Sequence, residues 1–235
     1  MEISDYVQRQ IDEHVWLVGD VIPNETKLAE QFGVSRPTVR AALTRLEAKG
    51  QVRRIKGLGT IVQPTGKLDD ATIFIEGWAD NLRKHGKTII SKTISFETAP
   101  ADDETAEKLR LPKGSDVFKI LRFRYEEGRR DDGPQLLAYS YIPTKYDFFN
   151  AEYFQSDRAG LSELFERNHV FRAYIDKELK PVIMDDYMCD LLDEPPGSLA
   201  IEIDSLVWDN RENAIEFSRG YWSVTKNKFT LKVRL

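Results

Sequence analysis

The stretch from Asn24 to Gly50 constrains this chain more than any other. Asn24 offers a side-chain oxygen to cap a helix over Glu25–Phe32, and Gly33 closes that helix where a left-handed residue is needed. Ser35 caps the next helix, Pro37 lies in its first turn where a missing N–H costs little, and Gly50 stops it after Lys49. Ala29, Gly33 and Val39 fall at the corner between the two. Alanine lets helices approach, glycine turns the chain and valine fills the angle, so the spacing predicts a helix-turn-helix. An amphipathic stretch, Ile3–Trp16, precedes it, with Ile3, Tyr6, Val7, Ile11 and Val15 on one stripe.

The second helix of the pair has two faces. Val39, Ala42, Leu43 and Leu46 follow helical spacing and point inward, while Arg36, Arg40 and Thr44 share another face beside Thr38. Arginines near the N-terminal end of such a helix suit a major groove, where the guanidinium pairs with guanine through two hydrogen bonds. After Gly50, two β-type segments, Val52–Ile55 and Thr60–Val62, flank a Lys56-Gly57-Leu58-Gly59 tip, which predicts a hairpin wing able to lie along phosphates or a minor groove. Charge follows the same division. Residues 34–66 carry seven Lys/Arg against one Asp/Glu, within a chain whose net charge is −5. A basic block in an acidic protein is a local footprint for phosphate, or a solvated face.

The rest of the chain excludes several classes. A single cysteine, Cys189, rules out an internal disulfide framework and a cysteine-based zinc cluster, and fits the core of a protein from a reducing cytoplasm. His14, His85 and His169 have no metal-ligand spacing, so no metal and no cofactor are expected. No apolar run is long enough to span a membrane, and the N-terminus has no leader-like basic and apolar regions.

Gln63–Asp70 is polar and contains Pro64 and Gly66, a hinge between two domains. Beyond it the pattern is mixed: helices over Trp78–His85, Asp102–Leu111, Phe148–Phe154, Leu161–Arg167 and Asp185–Leu192, and strands over Thr88–Thr98, Ser115–Glu126, Leu136–Ile142, Phe171–Met184, Ser198–Trp208, Ile215–Val224 and Phe229–Leu235, the last three as a meander. This predicts an α+β fold with a mainly antiparallel sheet. On the strand through Val117–Tyr125, Phe118, Ile120, Arg122 and Arg124 share one face. Two arginines on an apolar strand form an anion site, face solvent, or pair with Glu126 or another carboxylate. No serine or cysteine nucleophile lies in a motif with a base, so no catalytic residues are assigned.

Gly19–Ala29, Phe32–Leu43, Leu46, Gly50 and the Gly57–Thr60 tip resemble the winged helix-turn-helix of the GntR family of bacterial transcriptional regulators. The resemblance implies operator contacts from Ser35, Arg36, Thr38 and Arg40, with Gly57 entering the minor groove; Thr44 and Lys56 are added from their place on the same surface. Thr26 and Leu58 stand where the family commonly has arginine, which implies a different operator or lower affinity, partly offset by Lys27 and Lys56. Ala106…Leu121-Arg122-Phe123-Arg124, Gly133-Pro134, Tyr141-Ile142-Pro143 and Asp209…Ser218 resemble the UTRA effector domain of the HutC subfamily, which has a chorismate-lyase-like fold. That likeness implies Arg122 and Arg124 on an effector's anionic group, Glu216 on its hydroxyls and Trp222 as a stacking wall. Ala138 and Ser223-Val224-Thr225 depart from the family pattern, away from the usual amino-sugar phosphates.

The resulting expectation is a cytoplasmic regulator, a repressor, binding double-stranded operator DNA as a homodimer. Its domains are 1–63 winged helix, 64–72 linker and 73–235 effector binding and dimerisation. Its effector is a small anion, a phosphorylated sugar first and a carboxylate second. An enzyme of chorismate-lyase-like fold carrying a winged helix, and a DNA-binding protein without an effector, are the alternatives.

Overall fold

A computed structural model describes residues 3–63, 88–157 and 159–227. The expected helix over Trp78–His85 and strand over Phe229–Leu235 lie outside the described residues. The described residues form two compact units: one holds residues 3–63 with 170–174, the other residues 88–157, 159–169 and 175–227.

In the first unit α1 (Ile3–Asp12), α2 (Glu25–Phe32) and α3 (Arg36–Ala48) precede a hairpin of β1 (Val52–Ile55) and β2 (Gly59–Val62). The capping chemistry is as the residues predict. Lys27 N–H donates to Asn24 Oδ1 at 2.9 Å, and Gly33 adopts φ 63. Val7, Leu28, Val39, Leu43, Leu46 and Val52 form the buried centre. α1 is shorter than expected. It ends at Asp12 because His14 turns left-handed at φ 57 and Asp20 Oδ2 takes the Leu17 N–H at 2.8 Å. The following chain pairs with the wing: Ile22 N–H donates to Thr60 O at 2.9 Å and Val62 N–H to Asp20 O at 3.0 Å. At Gly59 φ is 121, and a Cβ there would meet Val21 Cγ1 at 2.9 Å, so glycine lets this third segment close on the wing.

The second unit is one six-stranded sheet of order β3-β4-β5-β8-β7-β6, from β3 (Ile89–Pro100), β4 (Asp116–Glu126), β5 (Leu136–Pro143), β6 (Arg172–Ile183), β7 (Leu199–Asp209) and β8 (Ala214–Ser223). α4 (Asp103–Lys108) and α6 (Asp186–Leu192) bury Ala106, Leu109, Cys189 and Leu192 against one face, with Val117, Leu121, Leu137 and Phe217. Both edges of β8 are taken, by β5 and β7, which differs from the expected meander of the last three strands.

The opposite face carries Ile120, Arg122 and Arg124, and Phe149, Phe154 and Ala159 cover part of it. The expected helix over Phe148–Phe154 is absent. Only Tyr153–Gln155 makes a single tight turn, because Phe154 packs on Phe96 and Phe149 on Phe118 of the sheet, while Phe165 of α5 (Leu161–Arg167) meets Phe149 edge-on, and that packing overrides local helix propensity.

Candidate nucleic-acid interface and anion site

α3 buries Val39, Ala42, Leu43 and Leu46 and leaves Arg36, Arg40 and Thr44 exposed on its other side. At its start Thr38 N–H donates to Ser35 Oγ at 3.4 Å, and the two hydroxyls lie 2.9 Å apart. Ser35 therefore serves as helix cap while remaining at the surface.

The arginines are organised by residues that the sequence reading did not single out. Glu25, the first residue of α2, accepts two bonds from Arg40 Nε, at 2.9 and 3.2 Å, and one from Arg40 Nη2 at 2.7 Å. Arg36 Nη2 lies 4.0 Å from the same carboxylate. The Arg40 hydrogen bond holds Glu25 below the usual carboxylate range, against the cost of desolvation, with the charges of Arg40, Arg54 and Arg36 adding to the effect. Arg54, on β1, donates to Thr44 Oγ1 at 3.1 Å, to Glu47 at 2.8 Å and to the Arg40 carbonyl at 3.0 Å. Thr44 Oγ1 donates in turn to Arg40 O at 2.9 Å, so its polar capacity goes largely to joining wing and helix. The signal for Glu25 was its place at the head of a helix packed on α3; its partner fifteen residues away could not be read from spacing.

Lys56 and Gly57 are exposed at the wing tip. Gly57 has φ 85 and nothing within 4 Å of an added Cβ, so its backbone is open to close approach. Leu58 is half-buried and faces a cleft of about 450 Å³ shared with Trp16, Val21, Pro23, Asn24 and Lys27.

In the second unit the register puts Arg122, Arg124, Glu216 and Trp222 on one face of the sheet. Arg122 pairs across with Thr93 and Ala138, Ala138 with Gly220, and Leu136 with both Arg124 and Trp222. Arg122 is only 1% exposed. Its Nη1 donates to Ala159 O at 3.3 Å, and its guanidinium stands 5.8 Å from the Phe154 ring. Its Nε and Nη2 are buried with no hydrogen-bond partner, and it makes no ion pair among the described residues. Burial, and next the Arg124 charge, push its pKa down to about 9, while Glu216 and Tyr153 pull the other way.

Thr93 Oγ1 and Ser140 Oγ, on the same face, are also buried without a hydrogen-bond partner. They are small polar residues within strands and carry no sequence signal beyond alternation. Glu216 is buried, and Trp222 packs with Leu136, Ala138 and Ile203. No group of three or more metal-ligating side chains exists among the described residues.

Residues 1–62 match the model of the bacterial regulatory proteins of the gntR family, and residues 84–227 match the UTRA domain. The chain belongs to the GntR family. It is similar to the "Probable fructoselysine utilization operon transcriptional repressor" of Escherichia coli K12, 33% identical over 175 residues, covering 73% of this chain and 69% of that one. It is also similar to the mannosyl-D-glycerate transport/metabolism system repressor MngR of the same strain, 25% identical over 98% of this chain and 93% of that one. Among solved structures, PhnF from Mycobacterium smegmatis shares the fold, with a TM-score of 0.58 at 20% identity over 99% of each chain. As a GntR-family member with a UTRA domain the chain is a DNA-binding transcriptional regulator of repressor type and not an enzyme. No helix among the described residues is long and apolar enough to cross a membrane.

Proposed function

We propose that this GntR regulator, of the HutC subfamily and working in the cytoplasm, represses transcription by binding operator DNA as a homodimer and leaves the operator when a small anion occupies its UTRA domain. In this reading the winged domain is 1–63, the linker 64–72 and the effector domain 73–235. Arg36, Arg40, Ser35 and Thr38 meet the major groove, and Lys56 and Gly57 meet the backbone or minor groove. Thr44 sits behind them as a link to the wing. One short recognition helix touches few bases, and two half-sites multiply affinity and specificity, which favours the dimer.

The observation that carries the effector reading is Arg122. A buried guanidinium with two unsatisfied nitrogens, beside a second arginine, is an expensive arrangement that an anionic ligand would compensate. Glu216 and Ser140 on the same face suit hydroxyl groups, with Trp222 as an apolar wall. Two relatives are named for fructoselysine and mannosyl-D-glycerate systems, which supports a sugar-derived anion, whether phosphate or carboxylate.

The test is a thermal-shift panel of sugar phosphates, free sugars, sugar acids, other carboxylates and inorganic phosphate, on wild type and Arg122→Met. A ligand at a hundredfold excess over its Kd stabilises by about 2.7 kcal/mol. A hit lost in Arg122→Met supports the reading. A hit retained there, or none across the panel, supports a regulator without an effector at this site.

A further inference from the structure

The Glu25 carboxylate does more than neutralise charge. It occupies one defined edge of Arg40, the edge formed by Nε–H and one Nη2–H, through bonds of 2.7–3.2 Å. A guanidinium has five N–H groups in a rigid fork. With that edge taken, the end formed by Nη1 and the second Nη2–H remains to donate. Two parallel donors at the end of the fork match O6 and N7 of guanine. The same carboxylate stands 4.0 Å from Arg36 and places negative charge inside the basic surface. The Glu25 side chain is 18% exposed while that of Arg40 is 61% exposed, so the guanidinium is the more open of the two to an approaching duplex.

We propose that Glu25 is a specificity-determining positioning residue: it holds Arg40 end-on for guanine, and its charge disfavours the looser side-on contacts to phosphate that support binding to any sequence. This rests on the operator reading of α3. Its chemistry predicts two opposite effects of one substitution. Losing the carboxylate frees Arg40 to sample phosphates and removes a repelling charge, so non-sequence-specific binding strengthens. The pre-set fork is lost, so discrimination at the guanine weakens.

The experiment uses the full-length protein. Wild type selects duplexes from a pool with a randomised core. Affinities for the selected duplex, for copies with each guanine replaced and for a scrambled duplex are then measured across salt concentrations, for Glu25→Gln, Arg40→Lys and the double variant. Glu25→Gln is expected to lower the ratio of selected to scrambled affinity about tenfold, as partial loss of one bidentate base contact would. It should bind the scrambled duplex more tightly and steepen the dependence of log affinity on log salt by about one unit. In the Arg40→Lys background, which has no fork to position, Glu25→Gln should not change the ratio further. Equal loss on both duplexes, an unchanged ratio, or the same ratio change in the lysine background would overturn the proposal. The underlying reading fails separately, if wild type enriches no sequence or Arg40→Lys binds as wild type does.

Discussion

Replacing Arg122 with methionine is expected to make the ligand-free protein more stable. Arginine removed from a purely structural role does the opposite, so the sign decides what the residue is for. Burial, and next the Arg124 charge, push the Arg122 pKa down to about 9, so the fold is biased against its charged form. Not all of that is recoverable. Methionine gives up the hydrogen bond to Ala159 O and the contact with Phe154. Even buried ion pairs, replaced by hydrophobic groups of similar volume, often leave stability unchanged or raise it by about 1–4 kcal/mol, and Arg122 makes no such pair among the described residues. A gain of about 2 kcal/mol raises Tm by about 4–8 °C at this chain length.

The assay is thermal and urea unfolding in a buffer without phosphate or carboxylates, with Arg122→Lys as a control that keeps a charge at the site. The pH dependence follows from the direction of the shift. The folded-state pKa lies below that of the unfolded chain, so the unfolded chain binds more protons between the two values. Wild type should therefore regain stability as pH rises through about 9, and the gap to Arg122→Met should narrow there. A methionine variant that melts lower than wild type would refute the reasoning, and Arg122 would then be a structural residue.

Other outcomes follow from the same geometry. Arg40→Ala should weaken operator binding at least tenfold and relax preference at one base pair, read by anisotropy on single-substitution duplexes. Gly59→Ala places a Cβ 2.9 Å from Val21 at φ 121 and should destabilise the winged unit by about 1–3 kcal/mol, whereas Gly57→Ala, with open space around it, should cost less stability but weaken DNA binding. Glu194 is buried and accepts bonds from Ser223 and Thr225, so Glu194→Ala should lower stability by about 1–3 kcal/mol in urea melts without changing operator affinity. Leu43→Ala, at the centre of the winged core, should cost about 2–5 kcal/mol and abolish DNA binding through unfolding.

The winged unit was legible because its punctuation is local. Asn24, Gly33, Ser35 and Pro37 each act within a few residues, and α2 and α3 end within one residue of where those signals put them. The strand bearing Arg122 and Arg124 was legible by alternation, and the register joins it to Glu216 and Trp222 on one face. What the sequence hid are the long-range matters. The stretch Phe148–Phe154 looks helical, but Phe154 and Phe149 are held by packing against Phe96 of β3 and Phe118 of β4. Pairing of β8 with β5, far apart in sequence, could not be read from short connections. The polar linkages of Arg40 to Glu25 and of Arg54 to Glu47 and Thr44 join separate elements with no shared motif. The absence of a hydrogen-bond partner at Arg122 Nε and Nη2 is likewise a property of packing, invisible to composition or period.

We propose that one chain couples a DNA surface on α3 to an anion site at Arg122. The most direct measurement is the affinity of the full-length protein for its selected duplex, titrated with the anion that stabilises it in the thermal panel, for wild type and Arg122→Met. Equal affinity of both proteins for DNA alone, two protomers per duplex, and an anion-induced loss of binding in wild type only are expected. Retention of the anion response in Arg122→Met, or an anion that binds the protein without changing its affinity for DNA, would contradict it.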